Sequence, residues 1–245
     1  MTVYFIGAGP GDPELITVRG QRLIRSCATI LYAGSLVPAA VLEGHNADTV
    51  IDTAPLQLDE IIAAIATAHA AGRDIARVHS GDPSLYGAIG EQIRRLRALN
   101  IPFEIVPGVT ATAACAALLG SELTLPDISQ TLILTRYAST TAMPPGERLH
   151  DLARHGATMA IHLGIAHLHN IVEELLPSYG ASCPIAVIHR ASWPDQDWVL
   201  GTLADIEALV AAKGFKRTAL ILVGQVLTAN DFADSKLYGK PAFKD

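Results

Sequence analysis

The sequence predicts an α/β protein built from two α/β domains with a ligand cleft between them. Two observations carry this. Short apolar runs alternate with stretches of helical spacing along almost the whole chain. Half of the 245 residues are hydrophobic and only 17% are charged, enough apolar material for large buried cores and too little charge for a disordered chain.

The elements follow in order. Val3–Ile6, Thr29–Tyr32, Ile75–His79 and Phe103–Val106 are short apolar runs suited to buried parallel strands. Between them Pro13–Arg25, Leu58–Ala71 and Gly87–Leu99 carry helical spacing, with Pro13-Glu14 placing a proline and an acid where a helix start accepts them. Thr131–Leu134, Ala157–Leu163, Ile185–Ile188 and Ala219–Val223 read as further strands, and Ala166–Leu176 and Leu203–Ala212 as helices. Pro107-Gly108 ends a strand, and the Ala-rich stretch 110–119 leads to a second turn region at 120–126. The seam is therefore expected near 112, giving domains over 1–112 and 113–245. The loop 139–147, rich in Pro and Gly, is expected to be mobile.

Composition narrows the function. With 18 basic against 24 acidic residues the formal charge is −6, a poor match to a nucleic-acid binder. Thirteen of the basic residues are Arg, and the five lysines (213, 216, 236, 240, 244) cluster near the end of the chain. Arginine forks suit carboxylates, so the bias fits either a cleft for a polyanionic small molecule or a genome that favours Arg codons. No apolar run reaches the roughly 18 residues of a membrane helix. No basic region precedes an apolar stretch at the start, so neither a membrane nor a signal peptide is expected. Cys27, Cys115 and Cys183 show no paired spacing and read as reduced core thiols of a cytoplasmic protein.

"VYFIGAGPGDPELIT" (3–17) looks at first like a nucleotide-binding loop. A dinucleotide fingerprint needs a third glycine where Asp12 stands. The common adenosylmethionine fold also wants an acid at Phe5 and another closing the second strand, where Ile30-Leu31-Tyr32-Ala33-Gly34 offers none. Pro10 removes an N–H from a loop that would have to donate N–H groups. The stretch therefore reads as a tight strand-to-helix turn. His162, His167 and His169 do not share one ligand face and have no cysteine partner, so no metal is expected; no nucleophile elbow supports hydrolase chemistry.

A second copy of Gly-Asp-Pro changes the reading. "RVHSGDPSLYGAIGEQ" (77–92), together with "GAGPGDPELIT", "YAGSLVP" (32–38), "PGVTATAACAA" (107–117) and "RASWPDQDWVLGTLADI" (190–206), resembles the tetrapyrrole methyltransferase family, over nearly the whole chain. Its members use S-adenosylmethionine to methylate carbons of corrin and sirohaem precursors. Ala33 stands where the uroporphyrinogen III branch has an acid, which sets the chain with the corrin branch. "LTRYASTTAMPPGE" and "RASWPDQ" point the same way.

The resemblance implies the tetrapyrrole methyltransferase type of fold rather than the common Rossmann methyltransferase, a homodimer, and a donor held by Ser80, Gly81, Asp82, Leu85, Thr110, Ala111, Leu163, Ala191 and Ala219, with Pro10 at the rim. Leu163 stands where many relatives have methionine. Asp82 also reads as a turn residue before Pro83, and Thr110 as a helix cap. For the macrocycle's carboxylates the expected partners are Arg136 and Arg190, with Arg19 and the loop residue Asp12 on the substrate side. No catalytic nucleophile is expected, because the macrocycle itself attacks and positioning lowers the barrier. The rival classes are a nicotinamide oxidoreductase, opposed by the failed fingerprint, and a non-catalytic tetrapyrrole carrier, in which a donor site would be idle.

Overall fold

The computed structural model describes residues 1–138 and 141–235. Ser139 and Thr140 of the expected mobile loop, and Lys236, Lys240 and Lys244, lie outside the described residues. The chain divides into two units. The first comprises Met1–Ala114 with Ser192–Pro194, and the second Cys115–Ala191 with Asp195–Asp245.

In the first unit five parallel strands, β1 (Val3–Gly7), β2 (Thr29–Tyr32), β3 (Thr49–Asp52), β4 (Ile75–His79) and β5 (Phe103–Val106), lie in the order β3-β2-β4-β1-β5. Both faces of the sheet are covered, as parallel sheets require. Val3, Phe5, Leu31 and Ile75 join a cluster with α2 (Leu58–Ala70) and α3 (Ile89–Ala98). Ile6, Ile30, Ala76 and Val78 pack on the opposite face with Ile24 of α1 (Val18–Ser26).

The second unit holds a mixed sheet of β6 (Leu132–Arg136), β7 (Thr158–His162), β8 (Pro184–His189), β9 (Asp197–Thr202) and β10 (Ala219–Val223), in the order β6-β7-β10-β8-β9. β6 and β7 are parallel, and the other neighbours are antiparallel. Its core is Met159, Ile161, Ile185, Val187, Ile221 and Val223 against α5 (Leu149–Ala153), α6 (Leu168–Tyr179) and α7 (Ile206–Lys213). The helix α4 (Ala111–Leu119) carries the chain from the first unit into the second.

Several expected boundaries shift for local reasons. The expected helix 13–25 breaks in two. Asp12 caps a short 3-10 turn at Pro13–Leu15, and Thr17 restarts the chain as α1 by accepting the Gly20 N–H at 3.0 Å. The helix expected from Gly87 starts at Ile89, because Tyr86 and Ala88 are left-handed (φ 56° and 51°). α6 runs past Leu176 and contains Pro177.

Candidate functional site

The order of the first sheet makes a switch point between β1 and β4. The chain leaves β1 toward β2 over the α1 face and leaves β4 toward β5 over the α3 face, so the two loops start side by side at the carboxyl ends, where parallel sheets bind ligands. They meet in a crossing bonded backbone to backbone: Gly81 N–H donates to the Gly9 carbonyl at 2.7 Å, and Gly9 N–H to the Gly81 carbonyl at 3.3 Å. A third segment, from β5, presses in beside them. A Cβ on Gly7 would lie 2.6 Å from both the Gly108 Cα and the Gly81 carbonyl oxygen. Only glycine permits three backbones to meet this closely.

Three N–H groups of the opening loop are engaged within the protein: Ala8 donates to the His79 carbonyl at 2.8 Å, Gly9 to Gly81, and Asp12 to the Ser192 hydroxyl at 3.0 Å. Pro10 has no N–H to give. The loop is a scaffold and no phosphate cradle, as its sequence indicates. Asp12 caps the following turn by accepting the Glu14 N–H at 2.8 Å.

Around the crossing lie the first-unit residues that the sequence assigns to the donor. Gly81 is left-handed (φ 62°), and a Cβ there would meet only Val109 O, Thr110 Cα and Ala111 N, at 3.9–4.0 Å. Its missing side chain thus leaves a hollow over the start of α4. Among the described residues the half-buried Ser80 beside it has no hydrogen-bond partner for its hydroxyl. Asp82 is fully engaged: one carboxylate oxygen accepts the Ser84 N–H at 2.8 Å, and the other the Gly108 N–H at 2.9 Å. Leu85 N–H donates to the Asp82 carbonyl at 3.2 Å. Thr110 Oγ1 caps α4 by accepting the Ala113 N–H at 3.2 Å, and its own hydroxyl proton remains available.

Beneath this loop β4 carries two buried polar side chains among apolar neighbours. Arg77 is 4% exposed and has no carboxylate partner among the described residues; its Nε donates to Gln92 Oε1 at 3.2 Å, and burial lowers its pKa to about 10. His79 is also 4% exposed and packs 5.9 Å from the Phe5 ring, with Nε2 unpartnered. Burial, and secondarily the Arg77 cation, push its pKa down to about 3 against an opposing hydrogen bond to the Gly87 backbone, so it is neutral.

In the second unit, Leu163, Ala191 and Ala219 gather at one end of the sheet. Leu163 follows β7, Ala191 follows β8, and Ala219 opens β10, paired with His189. The backbone here is strained: Leu163 (φ 55°), Arg190 (φ 48°) and Thr218 (φ 52°) are all left-handed. A leucine held left-handed and 64% exposed is costly in both conformation and hydration, a pattern that marks functional positions.

The four residues expected to serve the substrate all have intramolecular tasks. Arg19 pairs with Glu104. Arg190 pairs with Asp195 at 2.6 Å. Arg136 donates to the carbonyls of Tyr137, Thr141 and Ala142 at 3.0–3.3 Å and borders a cavity of about 260 Å³ with Met143, Arg148, His150 and Glu174. Asp12 is the turn cap already described. Among the described residues no group of three His, Cys, Asp or Glu is placed to hold a metal ion, and no helix is long and apolar enough to cross a membrane. Sequence reasoning did not single out Arg77 or Trp193. The signal for Trp193 was the alternation Gly7, Gly9, Gly11, which asks for a partner at each glycine.

Fold and site together define a class. Residues 2–207 match the model of the Tetrapyrrole (Corrin/Porphyrin) Methylases, and the chain belongs to that family. Within it, the chain is 74% identical over 238 residues to the precorrin-4 C(11)-methyltransferase of Pseudomonas aeruginosa, covering 97% of this chain and 95% of that protein. It also superposes on the solved structure of a cobalt precorrin-4 methyltransferase with a TM-score of 0.90 at 38% identity, over 93% of this chain and 96% of the other. A uroporphyrin-III C-methyltransferase of Thermus thermophilus solved with S-adenosylhomocysteine aligns with a TM-score of 0.76 at 27% identity, over 93% and 99%.

Proposed function

We propose that this methyltransferase transfers a methyl group from S-adenosylmethionine to C11 of precorrin-4, giving precorrin-5 in cobalamin synthesis. The observation that carries this reading is the 74% identity, end to end, to the Pseudomonas protein of that name. Relatives named for cobalt-precorrin-4 stand at 48% and 39% identity, against 50–74% for those named for precorrin-4, which ranks the metal-free substrate first.

The donor supplies a methyl carbon on a positively charged sulfur and carries no phosphate, so the site needs hydrogen-bonding edges and an apolar wall rather than an anion cradle. The first unit meets that need. The hollow at Gly81 admits a ligand against the backbone of Thr110 and Ala111, the Ser80 hydroxyl is free, and Thr110 can still donate. Asp82 acts by holding Ser84 and Gly108 in place, Leu85 lies in the same loop, and Pro10 borders it. From the second unit Leu163 offers an exposed apolar side chain, and Ala191 and Ala219 offer backbone at the same sheet end.

Toward the macrocycle, Arg136 is the strongest partner. It now donates to neutral carbonyls, which a substrate carboxylate outcompetes because charge-assisted bonds are about twice as strong. Arg190 would exchange Asp195 for a carboxylate, Arg19 would exchange Glu104, and Asp12 stands in the loop facing the ring. Binding of the reactants in line lowers the barrier without a protein nucleophile. The protein is expected to act as a cytoplasmic homodimer, which sedimentation of the purified chain checks.

The test is direct. Purified protein with precorrin-4 and labelled S-adenosylmethionine should yield a product labelled at C11, and calorimetry should show binding of S-adenosylhomocysteine. Gly81→Arg places a long side chain in the hollow, and should abolish that binding while the circular dichroism spectrum stays that of the wild type. Unchanged affinity would put the donor elsewhere.

A further inference from the structure

Residues 192–194 belong to the first unit although the chain on either side of them belongs to the second. This short strap leaves β8 through two left-handed residues, Arg190 and Ser192 (φ 48° and 70°). Conformational strain at two non-glycine residues so close together needs a compensating gain. The gain is visible at the opening loop. Trp193 Nε1 donates to the Pro10 carbonyl at 2.8 Å, and the Ser192 hydroxyl accepts the Asp12 N–H at 3.0 Å. Between these bonds the Cδ1–Nε1 edge of the indole comes so near Gly11 that an added Cβ would lie 2.2 Å and 2.3 Å from those two atoms. Gly11 is therefore a glycine because of Trp193, 182 residues away, and not because of its own backbone angle.

The strap's bonds to the loop fall on its outer half, Pro10 to Asp12. The inner half, Gly7 to Gly9, is held by the crossing with Gly81 and Gly108. The inner half is thus supported beside the hollow at Gly81, and the outer half by the strap together with its own turn, in which Leu15 N–H donates to the Asp12 carbonyl at 3.0 Å.

We infer that Trp193, assisted by Ser192, is a positioning residue for the substrate: it fixes the loop edge that ends at Asp12, on the side of the macrocycle, and acts less on the donor, which that edge meets only through Pro10 at the rim. This rests on the reading above that the loop at Asp12 faces the ring. Trp193→Phe keeps an aromatic ring beside Gly11 and removes the indole N–H. Losing one such bond should raise KM for precorrin-4 about five- to tenfold, with kcat and the affinity for S-adenosylhomocysteine within about twofold of wild type. Gly11→Ala should raise KM at least as much, and its effect should shrink severalfold in a Trp193→Ala background, where the ring it collides with is gone.

Two results would overturn the inference: affinity for S-adenosylhomocysteine falling in step with KM, or KM unmoved in Trp193→Phe. A purely structural strap would lower the melting temperature in the same variants without the split between KM and donor affinity. If the wild-type protein fails to methylate precorrin-4, the functional reading fails instead. The coupling between positions 11 and 193, read from melting temperatures, would then still stand or fall separately.

Discussion

Asp82 ties two loops together through a single carboxylate. Its two oxygens take the N–H groups of Ser84 and Gly108, one within its own loop and one from the segment after β5. The side chain therefore ties the connection of β4 to that of β5 at the rim of the Gly81 hollow. Asp82→Asn replaces one acceptor oxygen by an NH₂ group, so one of these backbone donors must lose its partner. The expected cost is about 1–3 kcal/mol of stability, together with weaker binding of S-adenosylhomocysteine as Gly108 drifts from Gly81. Thermal unfolding and calorimetry on the same sample check both. Stability falling with donor affinity intact would confine Asp82 to the fold. From sequence, the donor and turn roles of this residue stand level, because its second partner lies 26 positions away and no local pattern announces it.

Among the elements, the strands that could be read from sequence are short, largely apolar runs, three of them mostly buried and Phe103–Val106 exposed at Ile105. Thr29–Tyr32, Ile75–His79, Phe103–Val106 and Ala219–Val223 have the expected bounds because each is a short apolar run closed by turn residues. Three elements escaped. β3 is a four-residue edge strand with alternating exposure, and α5 has five residues, too few for any period to show. β9 is an edge strand whose apolar Trp198 and Leu200 face outward, 41% and 37% exposed, against the usual inward pattern. The glycines divide the same way. Gly7, Gly11 and Gly108 are fixed by long-range contacts, whereas Gly90, in the first turn of α3, would have no atom within 4 Å of an added Cβ and has no left-handed backbone angle. Gly90→Ala should accordingly stabilise the protein by about 0.5 kcal/mol, read as a small rise in the denaturant midpoint with methyl transfer unchanged. A loss of stability there would mean that the start of α3 carries a constraint beyond helix propensity, arising from the left-handed Tyr86–Ala88 segment before it.

For the molecule as a whole, the described titrating groups predict a marked sensitivity to acid, and each unit supplies a share. His79 in the first unit has its pKa lowered to about 3, chiefly by burial, and His162 in the second to about 4, also by burial. An unfolded chain takes up protons at both positions below about pH 6.5, while the folded protein refuses them until far lower. Their neutral burial therefore costs nothing above pH 6.5. Stability is lost as the pH falls from there toward 4 and 3, each imidazole contributing up to about 1.4 kcal/mol per pH unit. The exposed His169 works in the opposite direction: Glu207 raises its pKa, so its contribution is present at low pH and fades as the pH rises. Carboxylates such as Asp197, lowered by Lys213, add to the acid loss, so the total slope does not isolate the histidines. Comparison of variants does. His79→Gln keeps a neutral polar group beside Arg77 and cannot take up a proton, so its stability should fall less steeply than that of wild type between pH 6.5 and 4.5 in denaturant titrations. His162→Gln should flatten the curve by a further, separate amount, since the two residues belong to different units. A His79→Gln protein with the full wild-type slope would mean that His79 takes up its proton in the folded state despite its burial.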